Sequence, residues 1–99
     1  MIRGTTPTIT FTLPFDTSDI NKVWITFSQQ EQEVFTLVRS DCKFYEDTIE
    51  VTLTQEQTLK LIPNTFVEIQ IRILDYYDSA MASDVIVEPM DRILKEGVI

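Results

Sequence analysis

With 99 residues and a formal charge of −8, the chain has room for one domain and lacks the basic footprint that a phosphate backbone demands. It has no histidine and a single cysteine, which together exclude Ser-His-Asp and Cys-His catalysis, the usual zinc sites and any intrachain disulfide. No apolar run approaches the roughly 18 residues of a membrane span, and the N-terminal MIRGTTPTITF has neither an apolar h-region nor a small-residue cleavage site, so neither membrane insertion nor signal-directed secretion is expected.

Strand side chains alternate between faces, so a period of two in the hydrophobic pattern marks a half-buried strand. TITFTL carries it through Ile9, Phe11 and Leu13, and KVWITF through Val23, Ile25 and Phe27. Between them, Pro14 and the segment Asp16 to Asp19 supply a stop and turn-forming side chains. The polar Gln29 to Gln32 suits a hairpin connection into a third strand, EVFTLVR. Ser40 to Asp47 is less regular, with KFY able to pair briefly before a turn at Glu46 and Asp47.

TIEVTL restores the alternation through Ile49, Val51 and Leu53, and TQEQTLKL interrupts it with helix formers. Thr54 and Gln57 have the spacing of a capping box, which predicts a short helical turn ended by Pro63 and Asn64. In FVEIQIRIL, Val67, Ile69, Ile71 and Ile73 fall on one face and Glu68, Gln70 and Arg72 on the other. DYYDS, Asp75 to Ser79, reads as a tight reversal into a returning strand AMASDVIVE, where Val85 and Val87 continue the buried face, Asp84 and Glu88 point to solvent, and Ile86 breaks the pattern. In PMDRILKEGVI the period changes: Met90, Ile93 and Leu94 recur at helical spacing, with Pro89 suited to a first helical position and Gly97 to one just past the end.

Six or seven short strands with one helical turn predict an all-β protein, an antiparallel sandwich of immunoglobulin-like build, ending in a short helix or tail. The Cys…Trp…Cys signature of antibody domains is missing. A single domain over residues 1–99 is expected, with 89–99 a docking tail whose Met90, Ile93 and Leu94 pack either on their own sandwich or on a partner.

Candidate chemistry is sparse. The acidic neighbours Asp41 and Asp47 disfavour a Cys42 thiolate, and Gly4 and Gly97 lie too close to the ends to form a phosphate loop. Asp75 and Asp78 at a hairpin tip lack the ligand spacing of a calcium loop, so no metal or cofactor is expected. The aromatics carry more. Trp24 falls opposite Val23, Ile25 and Phe27, where it is either in a second packed layer or available to a partner, and Tyr76 and Tyr77 at a hairpin tip pose the same choice.

The ordered set MIRGTTPTITFTLPFDTSDI, TIEVTLTQEQTLKL, VEIQIRIL, ASDVIVE and DRILKEGVI resembles a family of small prophage-encoded proteins of Firmicutes, over nearly the whole chain. More loosely, in its strand order and its Arg3-Gly4-Thr5 start, the chain is similar to the N-terminal immunoglobulin-like domain of phage baseplate upper proteins. The family resemblance implies a non-enzymatic virion or virion-assembly component, made in the bacterial cytoplasm and incorporated into the virion. It would bind other virion proteins. Separately, a two-layer sandwich leaves strand edges that must be covered, charged or paired, and the polar face is poor in lysine, so self-association or a sheet-edge contact with a partner is expected. The alternative from another class is a host-surface carbohydrate-binding module with Trp24, Tyr76 and Tyr77 as stacking platforms.

Overall fold

A computed structural model of the chain describes residues 1–99, and each alternating stretch forms a strand in it. The strands are β1 (Thr8–Thr12), β2 (Ile20–Gln29), β3 (Gln32–Val38), β4 (Cys42–Tyr45), β5 (Thr48–Thr52), β6 (Thr65–Asp75), β7 (Ala80–Ala82) and β8 (Ile86–Met90). One sheet has the order β1-β5-β4; the other runs β3-β2-β6, with β7 and β8 both on the far edge of β6. All of these pairings are antiparallel. The inward residues of both sheets form one core that joins Phe11, Ile49 and Val51 to Val23, Ile25, Phe27, Ile69 and Ile71, and Phe27 stacks on Phe35 at 4.6 Å between ring centroids.

The capping box at the helical turn is formed in both directions. The Gln57 amide donates to the Thr54 hydroxyl at 3.1 Å, the Thr54 amide donates to the Gln57 side chain at 2.9 Å, and the helix α1 (Gln55–Leu59) follows. Thr58 on α1 is fully buried because its hydroxyl donates to the Thr5 carbonyl at 2.8 Å.

The return from β6 departs from expectation. Arg72 pairs with Ala82, but Ile69 pairs with Ile86, so three steps on β6 face four on the returning chain. The extra residue is a bulge, and a one-residue shift moves every following side chain to the other face. Val85 and Val87 are therefore exposed, while Glu88 and Met90 share the inward parity of Val67 and Thr65. Ser83 holds the bulge: its hydroxyl accepts from the Ile71 amide at 3.2 Å and its own amide donates to the Ile71 carbonyl at 2.9 Å.

The C-terminal segment after Pro89 is not helical. Pro89 and Met90 complete β8, and Asp91 makes a parallel bridge to Ile2. The Asp91 amide donates to the Met1 carbonyl at 2.8 Å and the Arg3 amide to the Asp91 carbonyl at 3.1 Å, so these peptide groups are satisfied by the N-terminal segment. A helix this short would have to meet its nucleation cost with few bonds, and the extended pairing removes the need for it.

Gln29 also lies elsewhere than expected. The β2–β3 loop is Gln30 and Glu31 alone, both with positive φ, and Gln29 closes β2 at 3% exposure. Its side chain acts as a peptide group, donating to the Ile62 carbonyl at 2.9 Å and accepting from the Ile62 amide at 2.7 Å. Gln29→Leu strips both partners from that backbone and is expected to cost about 1–3 kcal/mol in urea unfolding. Gln30→Ala, on the turn, serves as the neutral control.

Candidate interaction face

The outer surface of the five-stranded sheet is built in rows, because paired residues on adjacent strands point the same way. Lys22, Leu74 and Ala80 form one row, and Val38, Trp24, Arg72 and Ala82 the next. Thr36, Thr26 and Gln70 make a polar middle row. Beyond it, Glu33, Ser28, Glu68 and Val87 form the fourth row, and Phe66 with Pro89 the last. The face is basic at the Lys22 and Arg72 end and acidic at the Glu33 and Glu68 end, with large apolar side chains at both.

Trp24 is 51% exposed, and the Arg72 guanidinium lies over its ring at 5.4 Å. The second packed layer allowed by the sequence is therefore absent above it. A shallow hollow of about 240 Å³ opens beside it, lined by Lys22, Trp24, Arg72, Ile73, Leu74 and Ala80. A half-exposed indole next to a guanidinium suits contact with a protein surface, since Trp and Arg give large contact areas at interface centres.

The other aromatic candidates sit apart from Trp24. Tyr76 and Tyr77 occupy the β6–β7 turn, with Tyr77 79% exposed. One oxygen of the Asp75 carboxylate accepts from the amides of Tyr77 at 2.9 Å and Ser79 at 2.8 Å, so this group organises the turn itself. The Tyr76 amide donates to the Asp19 carbonyl at 3.0 Å and fixes the turn against the start of β2.

Met90, Ile93 and Leu94 do not form a stripe. Met90 is 1% exposed within the core, Ile93 is half-buried with its tip near Gly4, and Leu94 is 91% exposed. The burial of Met90 removes it from any docking surface. The tail is held instead by Arg3, which the sequence marked only within its Arg3-Gly4-Thr5 start and not for this role: its guanidinium donates to the carbonyls of Leu59 and Leu61, each at 2.8 Å, and pairs with Glu96. Arg3 thus satisfies carbonyls at the end of α1, where helices leave acceptors unpaired. A lone arginine in a polar N-terminal stretch gives no signal of that role.

Cys42 is half-buried on β4, with its thiol donating to the Val38 carbonyl at 3.4 Å. Burial, reinforced by the Asp41 carboxylate and only partly offset by Arg39, pushes the thiol up to about 11. At pH 8 the thiolate population is then small, and alkylation by iodoacetamide is expected to run roughly 100-fold slower than for a free cysteine. Mass spectrometry follows the adduct, and urea unfolding should restore the ordinary rate.

No protein-family model, curated protein or solved structure matches this chain.

Proposed function

We propose that this protein acts by protein–protein contact as a small structural or assembly component of a virion, using an immunoglobulin-like sandwich as the docking module. The observation that carries the contact reading is the outer face of the five-stranded sheet, where Trp24 and Arg72 lie open beside Val38 and Leu74. The resemblance to small prophage-encoded proteins supplies the virion setting.

The immunoglobulin-like assignment is supported by strand order. With β1 taken as strand B, the sheets β1-β5-β4 and β3-β2-β6-β7 correspond to B-E-D and C′-C-F-G, and β8 continues G beyond its bulge. Ile2 then stands where a short A strand would pair with the end of G.

The test is the composition of virions released after prophage induction from a bacterium that carries the gene. The chain is expected in purified particles, or in purified head or tail intermediates, at a fixed copy ratio to known structural proteins by quantitative mass spectrometry. Its absence from all of them overturns the reading. Calorimetry with cell-wall polysaccharide tests the carbohydrate alternative, in which binding would require Trp24.

A further inference from the structure

We propose that the outer face of the five-stranded sheet is a self-complementary interface between two copies of this chain, related by a two-fold axis running across the strands through Thr26 and Gln70. That axis lays each strand over its own copy and inverts the order of rows. Arg72 then meets the partner copy's Glu68, Val38 covers Glu33, and Lys22 falls one row and one strand away from that glutamate, at the acidic end. The other in-plane two-fold, parallel to the strands, keeps each row on its own copy, so the basic end with Lys22 and Arg72 meets the partner's basic end and the acidic end with Glu33 and Glu68 meets the partner's acidic end. Electrostatics therefore selects the first arrangement.

Side-chain size agrees with it. The indole of Trp24 falls over the partner's Ser28, Ala82 over Val87, and Ala80 over Pro89, so large groups meet small ones. Leu74 meets Phe66, which is 60% exposed in the single chain. Over the 7, 10 and 11 residues of β3, β2 and β6 and the 3 and 5 of β7 and β8, at about 3.3 Å along and 4.8 Å between strands, the face has a footprint of roughly 570 Å². Stable interfaces start at about 600 Å² per partner, so the face lies at the lower end of that class. The chain's charge of −8 opposes association. The four charges considered on this face, Lys22, Arg72, Glu33 and Glu68, sum to zero, and at physiological salt the Debye length of about 8 Å screens the rest.

The experiment is sedimentation equilibrium of the full chain in 0.15 M salt, from micromolar to about 1 mM, with Trp24 fluorescence read in parallel. The wild type is expected to reach twice its 11.5 kDa mass with a blue shift of the indole emission. R72E and E68R are each expected to remain monomeric. An equimolar mixture of the two should restore the dimer, because each introduced charge then meets its complement. Circular dichroism melts establish that each variant is folded; if a reversal does not fold, Ala82→Arg, at an exposed edge position, takes its place and should abolish the dimer. A monomeric wild type overturns the interface, as does dimerisation of R72E at wild-type strength or a mixture that stays monomeric. None of these results bears on the presence of the chain in virions, so this inference and the virion reading fail separately.

Discussion

Phe27→Ala is expected to lower the unfolding free energy by about 3–5 kcal/mol, the range for removing a buried phenylalanine from a core that cannot collapse around the loss. Phe27 is fully buried near the end of β2, between Phe35 on β3 and Ile69 on β6. Truncation forfeits the transfer free energy of the ring and its stacking on Phe35, and it opens a cavity facing the smaller sheet. A domain of this size is held by about 5–15 kcal/mol, so the variant sits near the edge of folding. Urea denaturation measures the loss, with Thr26→Ala as the control. Thr26 is the preceding residue on the opposite face, and its hydroxyl bonds only to Thr36, at 3.1 Å. That change should cost less than about 1.5 kcal/mol, the net range for one ordinary hydrogen bond. A similar loss for both substitutions would mean that the two faces of β2 are equally buried, contrary to the alternation.

The same alternation explains which parts of the fold were legible. In β1, β2, β5 and β6, the chain spells inward residues at every second position, and the structure buries Phe11, Ile25, Val51 and Ile71 accordingly. A period of two holds only while the register holds. At Ser83 one added residue reverses the parity, and the sequence VIVE reads equally well in either phase because all three of its apolar residues fit a strand. The stabilising group is a serine hydroxyl bonded to the Ile71 amide, an interaction between residues twelve apart. Gln29 and Arg3 were missed for a related reason. Each is a polar side chain satisfied by a distant backbone, at Ile62 and at Leu59 and Leu61, and pairings across such distances leave no local pattern.

The candidate face was legible in composition but not in state. Period two puts Trp24 opposite the core residues of β2, yet whether anything covers that face depends on layers the strand's own sequence does not describe. The bulge contributes here as well. By turning Val87 outward beside Glu68, it adds an apolar side chain to the acidic end of the sheet, and it sends Met90 inward. One inserted residue thus changes both the interface candidates on β8 and the role of the tail.

That role gives the last expected result. A chain ending at Glu88 should melt roughly 10 °C or more below the full chain, because it loses a buried strand residue as well as an exposed tail. Met90 fills the core beside Thr65, and its carbonyl accepts from the Asn64 amide at 2.8 Å. Removing a buried methionine side chain alone costs about 2–5 kcal/mol. In a domain of this length each kcal/mol moves the melting temperature by about 4–8 °C. The truncation also takes away the Pro89 carbonyl that accepts from the Met1 amine at 2.8 Å and the Asp91 bridge to Ile2, which frees the N-terminal segment from β8. A second chain, ending at Arg92, separates core from tail. It retains Met90 and Asp91 and loses the Arg3–Glu96 pair, whose carboxylate is exposed and which contributes no more than about 1 kcal/mol. Its melting temperature should fall by less than half as much. Equal losses in both chains would assign the stability to the Arg3 clasp and the segment after Arg92. An unchanged melting temperature in the shorter chain would exclude Met90 from the core and return residues 89–99 to the status of a free docking arm.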